Sequence, residues 1–305
     1  MAAKAHDNPG SGQTGGEAMA QTFAALRPKL HRYCARMVGS AIDAEDVVQD
    51  ALAKAIAALQ AEPAIAHVEG WLFRIAHNAA LDFLRQRARQ QSVFANEDIA
   101  MVPDLVDPVQ QRELAAAGLR NFMRLSASER SAVILMDVLG YSLDEISRIT
   151  ESTIPAIKAA LHRGRTRLRT IMQEPADSTP PALHPSERTR LMAYIDRFNA
   201  RDFDAVRSML AEDVQLDLVG KTRMRGAEVG RYFGNYASIS DWQLRPGLVE
   251  GRPAAIVMNP ADLAAPPRYF ILLDWTEEHV SGIRDFRHVH YVAEGAEIIL
   301  LDPSN

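Results

Sequence analysis

The sequence has little cysteine and lacks any long apolar run. Cys34 is the one cysteine among 305 residues, so no disulfide bond can form within the chain, and a lone thiol is typical of a reducing compartment. No uninterrupted apolar segment approaches the roughly 20 residues that a membrane-spanning helix needs. The first residues also lack the charged-then-apolar pattern of a secretory signal. We therefore expect a cytoplasmic protein that does not associate with a membrane.

A large excess of charge of one sign is also missing. The formal net charge of −5 argues against a protein that simply coats nucleic acid. The charges are nevertheless unevenly placed, because residues 43–50 contain four acids and no Lys or Arg, whereas residues 158–169 contain five Lys or Arg and no acid. An acidic and a basic segment on one chain indicate two different partners.

Changes in composition and apolar spacing divide the chain into segments. Two helical regions are separated by polar, Pro-containing stretches, and short β-branched runs then mix with helical segments, which predicts an α+β domain with a largely antiparallel sheet. The predicted segments are a disordered tail at 1–17, a helical domain at 18–95, a linker at 96–110, a second helical domain at 111–174, a Pro-rich linker at 175–186 and the α+β domain at 187–305.

An acidic amphipathic helix is predicted over residues 42–59. Val48, Leu52 and Ile56 recur at helical spacing and form its apolar stripe. Asp43 and Asp46 lie in its first turns, where carboxylates are favoured by the helix dipole. Periodicity alone favours a solvated surface helix over a binding surface.

A second helix, over residues 71–89, carries a basic and aromatic face. At about 100° per residue its aromatic, amide and guanidinium side chains fall within an arc of roughly 60°; they are Trp71, Arg74, Asn78, Arg85 and Arg89. Such a mixture suits single-stranded DNA, because bases stack on rings and guanidinium planes while phosphates are neutralised alongside. The alternative is that Trp71 belongs to the core and the arginines are solvated.

Residues 126–171 predict a helix-turn-helix. Capping boxes begin at Ser126 and Ser142, each followed by Glu three residues later, and Gly140 ends the first helix. On the last helix one stripe is apolar and a second is basic, the basic stripe comprising Lys158, His162, Arg165 and Arg169. The basic stripe can enter a major groove. A plain helical hairpin with a solvated basic face is the alternative.

Several of these segments resemble the extracytoplasmic-function (ECF) sigma factors of the sigma-70 family. The sequences DAEDVVQDA at 43–51 and GWLFRIAHNAA at 70–80 are similar to region 2 of that family. The sequences LSASER at 125–130, GYSLDEI at 140–146 and LHRGRTRL at 161–168 are similar to region 4. The resemblance implies a helical bundle for region 2 and a helix-turn-helix for region 4, each all-α.

The resemblance also implies partners and roles. Core RNA polymerase would be contacted by the acidic helix, through Asp43, Asp46, Gln49 and Asp50. The −10 element of promoter DNA would be read by Trp71, Arg74, Asn78, Arg85 and Arg89, and the −35 element by Lys158, His162, Arg163, Arg165 and Arg169. Two positions depart from the family pattern: Glu151 stands where Gly is frequent, and Ala160 where Arg is frequent. These departures leave the promoter sequence open.

Residues 187–305 resemble the SnoaL-like domains of the NTF2-like class. The cues are NARDFD at 199–204 and LAEDV at 210–214, and the class implies a curved sheet wrapped on helices around a cone-shaped pocket. Candidate pocket residues are Asp217, Trp242, Tyr269, Asp274, Arg284, His288 and His290. A continuous strand over 280–292 would place Arg284, His288 and His290 on one face. No third metal ligand at suitable spacing is evident, so we expect neither a metal nor a cofactor.

The sequence therefore predicts a multidomain sigma factor that catalyses no reaction itself. The α+β domain is expected to modulate activity, through an intramolecular contact or a small ligand. One rival is an ordinary helix-turn-helix regulator that binds a palindrome as a dimer, which leaves the acidic helix unexplained. A second rival is an enzyme whose last domain acts as an isomerase, cyclase or hydrolase, which requires catalysis by a residue such as Asp217 or His288.

Overall fold

The computed structural model describes residues 11–61, 65–91, 118–174 and 183–302. The chain divides into two compact units, Met1–Pro175 and Ala176–Asn305. The predicted linker at 96–110 and most of the linker at 175–186 lie outside the described residues. Within the described ranges, no helix is both long and apolar enough to cross a membrane.

The described part of the first unit is entirely helical. Its helices are α1 (Ser11–Val38), α2 (Ala41–Ala61), α3 (Val68–Gln91), α4 (Leu119–Met123), α5 (Ala127–Val133), which continues into a π-helical turn (Ile134–Val138), α6 (Leu143–Thr150) and α7 (Ile154–Gln173). Residues 11–17 of the predicted disordered tail are helical, which corrects that prediction. Extending a helix that is already anchored carries no nucleation cost, so residues with low helix propensity can join its end.

Helices α1, α2 and α3 pack through small residues and a few buried polar contacts. Ala44, Val48 and Ala51 of α2 are fully buried. Glu45, whose side chain is completely enclosed, accepts hydrogen bonds from Arg27 of α1. The predicted apolar stripe of α2 is shorter than expected, because Ile56 is 52% exposed.

The local signals of the helix-turn-helix are confirmed. Both capping boxes form, at Ser126 and at Ser142. Gly140 adopts a left-handed conformation with φ of +75° after the first helix. Thr153 caps α7 through a hydrogen bond from Ala156 N–H, and Pro155 lies in the first turn, where no amide donor is needed.

The two helical regions of the first unit share one apolar core. Buried residues from Phe23 on α1 to Ile171 on α7 form a single cluster. Gly39 has a φ of +80°, and a Cβ there would clash with the side chain of Met123, so α4 sits directly on the turn after α1. Arg130 is buried and donates to the carbonyl of Met37 and, at 2.9 Å, to that of Leu125.

The second unit combines helices with one seven-stranded sheet. Its elements are α8 (Pro185–Asn199), α9 (Phe203–Ser208), β1 (Leu210–Leu218), β2 (Thr222–Arg225), a 3-10 turn (Gly226–Arg231), α10 (Tyr232–Ala237), β3 (Gln243–Val249), β4 (Arg252–Met258), β5 (Tyr269–Thr276), β6 (His279–Asp285), α11 (Tyr291–Gly295) and β7 (Ile298–Leu300). The strand order is β2-β1-β6-β5-β4-β3-β7, and all pairs are antiparallel except β1 with β6. The predicted α+β class is confirmed, although α8 begins at Pro185, within the predicted linker.

Aromatic rings fill the space between α8 and its neighbours. The ring of Phe198 lies between 5.0 and 6.1 Å from five other rings, which belong to Tyr194, Phe203, Phe233, Tyr236 and Trp242. The side chain of Asn199 both donates to and accepts from the main chain of Leu244, each at 2.9 Å. Arg201 stacks on Trp242, 4.8 Å from its ring centroid. The NARDFD segment therefore has a structural role.

We expect the stability of the first unit to fall in acid because of His77. Burial lowers the pKa of His77 to about 4, and its Nδ1 lies 2.6 Å from the hydroxyl of Tyr33. In the unfolded chain a histidine titrates near pH 6.5. The folded state favours the neutral ring of His77, and this preference stabilises the first unit fully above about pH 6.5. The contribution, about 2–3 kcal/mol, is lost as the pH falls towards 4. Urea unfolding at pH 7 and pH 4.5 should show a smaller pH effect for His77→Gln. The same change at exposed His67 is the control, and an equal pH effect in wild type and H77Q would contradict the assignment.

Candidate functional site

The acidic face of α2 consists of Asp46, Gln49 and Asp50. Asp46 and Asp50 are exposed and Gln49 is half-buried. Exposed Ile56 lies further along the same helix. Asp43, also predicted to belong to this surface, is 17% exposed and lies 3.7 Å from Arg87 of α3. Its carboxylate therefore helps to hold α2 against α3.

The polar face of α3 consists of Trp71, Arg74, Asn78, Arg85 and Arg89. Trp71 is half-buried against the core, whereas the other four side chains are exposed. The opposite side of the helix buries Leu72, Phe73 and Ala76. The predicted separation of the two faces is thus present, and the ring of Trp71 contributes to both.

Helix α7 presents fewer basic side chains than its sequence suggests. Lys158 is exposed and His162 and Arg169 are half-buried. Arg163 donates to Glu129 at 3.1 Å. Arg165 makes two hydrogen bonds to Asp137, of 2.9 and 2.6 Å, and its side chain is only 20% exposed. Two of the five predicted reading residues are therefore engaged in fixing α7 to α5 and the π-helical turn.

Asp137 and Glu129 were not recognised in the sequence as partners of α7. Asp137 stands within an apolar run, in the π-helical turn in which Leu139 N–H bonds to Ile134 O at 3.0 Å. Its carboxylate is fully enclosed. Glu129 completes the capping box at Ser126, and this local role gives no indication in the sequence of its second contact, with Arg163. Neither pairing has a local sequence signal, because the partners are 28 and 34 residues apart.

Gly164 permits the close approach of α5 and α7. A Cβ at this position would lie 2.8 Å from Val133 Cγ2 and 3.1 Å from Glu129 O. Larger residues would push the two helices apart and so displace the arginines on either side. The glycine in the LHRGRTRL segment is therefore required by packing.

The candidate pocket of the second unit is not assembled as predicted. Strand β6 ends at Asp285, and His288 and His290 lie in the turns before α11, where both are exposed. The continuous strand over 280–292 was therefore a wrong prediction. The ring of His290 stacks on Tyr269 with centroids 5.4 Å apart, and Trp242 is buried in the aromatic cluster, with its Nε1–H donating to Ile239 O at 3.1 Å.

Asp217 and Arg284 lie on the outer face of the sheet. They are register partners on β1 and β6, and Arg284 points away from the face that carries its neighbour Asp285, because successive side chains alternate. Together with Asp274 they line an open groove of about 750 Å³. Among the described residues no group of three or more His, Cys, Asp or Glu is placed to hold a metal.

A buried carboxyl group occupies the inner face instead. Asp285 is fully enclosed, and its Oδ2 accepts hydrogen bonds from Tyr236 at 2.7 Å and Tyr232 at 2.9 Å. Its Oδ1 accepts from Arg287 N–H at 2.9 Å. Burial raises the pKa of Asp285, whereas the tyrosine hydroxyls lower it. The one sequence signal was the spacing of Tyr232 and Tyr236, four residues apart on one helix face.

Comparisons with known proteins match the first unit to one family. Two family models match, Sigma-70 region 2 over residues 22–90 and Sigma-70 region 4 over residues 122–168. The ECF RNA polymerase sigma factor SigM of Mycobacterium tuberculosis is 34% identical over 152 residues, which cover 50% of this chain and 76% of SigM. The chain belongs to the ECF RNA polymerase sigma factors.

Other similarities of this sigma factor have lower sequence identity. The ECF sigma factor SigG of M. tuberculosis is 25% identical over 297 residues, covering 85% of this chain and 78% of SigG. A solved structure of a SnoaL-like protein of unknown function from Burkholderia thailandensis is 18% identical, with a TM-score of 0.28. It covers 35% of this sigma factor and 97% of its own chain.

The matched ranges assign the described surfaces to the two sigma regions. Region 2 contains the acidic face of α2 and the polar face of α3, and region 4 contains α5, α6 and α7. In this sigma factor region 4 rests on region 2, since Tyr141 of region 4 donates a hydrogen bond to Glu69 and its ring lies 5.2 Å from that of Phe73.

We expect the Asp137–Arg165 pair to hold α7 in place. Asp137→Asn keeps the shape but removes the charge that compensates a largely buried guanidinium. The free energy of unfolding of the first unit should fall by about 1–3 kcal/mol, measured by urea denaturation of the full chain. Asp144→Asn, at an exposed acid on α6, is the control. Equal stability of D137N and D144N would show that the pair does not fix α7.

Proposed function

We propose that this sigma factor docks on core RNA polymerase through the acidic face of α2. The proposal rests on the exposure of Asp46 and Asp50, and of the apolar side chain of Ile56 further along the same helix. Carboxylates and an apolar side chain on one helix suit a basic, partly apolar partner surface. Asp43 contributes indirectly, by holding α2 against α3.

The polar face of α3 reads the −10 element as a single strand. Exposed Arg74, Arg85 and Arg89 neutralise phosphates, and Asn78 offers both a donor and an acceptor to a base edge. Trp71, half-buried at the start of the helix, supplies a ring on which an unstacked base can rest. The mixed chemistry of this face supports a melted strand over a duplex.

Helix α7 reads the −35 element as a duplex, through Lys158 and His162 in its N-terminal half. Arg169 supports the contact from further along the helix by neutralising phosphate. Arg163 and Arg165 position the helix, since both are paired with acids of region 4. Phosphoryl transfer belongs to the polymerase, and the sigma factor works in the cytoplasm, where the polymerase and DNA are.

The second unit modulates initiation. The dense packing of rings around Phe198 favours a regulatory or scaffolding domain over a hollow catalytic one. The outer groove between Asp217 and Arg284 is the place where a small polar ligand would act. An isolated activity on a small molecule, lost when Asp217 or His288 is replaced, would instead support the enzyme hypothesis.

We expect charge reversal on the acidic face to weaken polymerase binding. The double variant Asp46→Lys/Asp50→Lys places like charges opposite a basic partner, so affinity for core polymerase should fall by tenfold or more. Affinity can be measured by fluorescence anisotropy, together with initiation on a promoter library. The control is Asp204→Lys, at a side chain that is 95% exposed on the second unit.

Unchanged affinity of D46K/D50K for core polymerase would overturn the docking proposal. The same experiment separates the helix-turn-helix rival, which predicts tight binding to duplex DNA with no polymerase present. We expect weak binding to free DNA, because only the polymerase holds the two reading surfaces at the required distance.

Removal of the second unit should change the initiation rate. A chain that ends at residue 174 keeps both sigma regions and loses the proposed modulator. Full-length and shortened proteins are compared at equal core polymerase concentration, with circular dichroism confirming that the shortened chain is helical. Equal initiation rates for the two chains would argue against modulation.

A further inference from the structure

Region 4 contacts the polar face of α3 through an acid that occupies a strained position. The carboxylate of Glu151 lies 3.5 Å from the guanidinium of Arg74. Glu151 ends α6 with a φ of +54° and ψ of 32°, the left-handed conformation that glycine adopts most readily. Glu151 carries a backbone cost that glycine would avoid. The advantage of Glu151 over glycine must therefore lie in its carboxylate side chain.

Arg74 cannot serve Glu151 and a DNA strand at the same time. Arg74, Trp71 and Glu151 line the same groove of about 960 Å³, at the seam between regions 2 and 4. A strand that followed the polar face of α3 would bring phosphates to the guanidinium and like charge to the carboxylate. The acid must therefore leave when the strand arrives.

The contact also joins surfaces that have to separate. The −10 and −35 elements are named for positions about 25 base pairs apart, which is roughly 85 Å of duplex at ~3.4 Å per base pair. Regions 2 and 4 in contact cannot reach both elements together. The arrangement with Glu151 on Arg74 is consequently a closed form that does not engage a whole promoter.

We propose that Glu151 is a latch that holds region 4 on the DNA-reading face of region 2 by mimicking a phosphate at Arg74. This proposal rests on the proposed role of Arg74 at the −10 element. The latch is one part of a larger seam, in which Glu69 also accepts hydrogen bonds from Tyr141 and, at 2.6 Å, from Lys29. The ammonium of Lys29 lies 4.3 Å from the ring centroid of Tyr141.

The latch contributes only part of the stability of the closed form. The side chains of Arg74 and Glu151 are 44% and 66% exposed, and ion pairs of that exposure are weak. Its loss should shift the ratio of open to closed molecules by about two- to fivefold. The rings of Phe73 and Tyr141 and the shared core supply the rest of the contact.

The test measures the distance between the two regions in the free, full-length protein. Donor and acceptor dyes are placed on introduced cysteines, Gln86→Cys at the end of α3 and Thr170→Cys at the end of α7, both exposed positions. Cys34 does not compete for label, since it is buried and burial raises the pKa of its thiol. Glu151→Gln removes the charge and keeps the backbone preference, so we expect the open fraction to rise by the stated factor.

Two further variants make the outcome specific. Glu277→Gln is the matched control, because Glu277 also has a φ of +54° but lies in the second unit; its energy transfer should equal that of wild type. The charge swap Arg74→Glu/Glu151→Lys should restore the closed fraction that E151Q loses. An unchanged distance in E151Q, or a swap that fails to restore closure, would overturn the latch.

Initiation assays then separate this proposal from the proposed function. E151Q should initiate faster than wild type at subsaturating core polymerase, as more molecules are open, with the same promoter preference. A wild-type protein that binds no polymerase would remove the proposed function, yet the dye distances would still report whether Glu151 closes the molecule. Slower initiation by E151Q, despite an increased open fraction, would show that Glu151 assists promoter binding and would overturn the latch.

Discussion

Arg130 is buried at the junction of the two sigma regions, where its terminal nitrogens bind main-chain carbonyls of both regions. It lies in the first helix of region 4, is only 5% exposed and donates to main-chain carbonyls of Met37, Met123 and Leu125. Burial lowers its pKa to about 10, so it remains charged at neutral pH. Met37 lies at the end of α1, where the carbonyl dipoles favour a cation. Because the partners of this guanidinium are neutral carbonyls, water can replace them when the contact opens. No unpaired carboxylate is then left behind.

The arginines of α7 in region 4 are also partly satisfied by neighbouring groups. Arginine occupies every second position from 163 to 169, and the helix turns successive arginines towards different surroundings. Arg163 and Arg165 are neutralised by acids of region 4 and fix the angle of α7, whereas exposed Arg167 faces solvent. The close contact at Gly164 brings these pairs within hydrogen-bonding distance. The basic segment of α7 thus has two roles: some of its arginines hold the helix in place, and others face solvent.

In the second unit, the residues of a recognisable sequence motif serve the fold. Asn199 and Arg201 tie the end of α8 to β3 and to the turn before it, and Tyr232 and Tyr236 meet the carboxylate of Asp285 on the inner face of the sheet. These contacts give the NARDFD segment a structural role, which by itself implies no chemistry, since function resides in sites added to a fold. His290, exposed after β6, stacks on Tyr269, whose hydroxyl lies 3.2 Å from that of Tyr236.

The amphipathic helices α2 and α3, both capping boxes, the turn at Gly140 and the two faces of α3 were determined by the sequence alone. Each depends on residues three or four positions apart, so the physical cause is contained in a short segment. Tertiary structure decided what crosses longer separations: the end of β6 at Asp285, the exposure of Ile56, the pairing of Arg165 with Asp137, and the contact of Arg74 with Glu151. These features depend on which surfaces meet after the helices and strands have formed, and periodicity along the chain carries no information about that meeting.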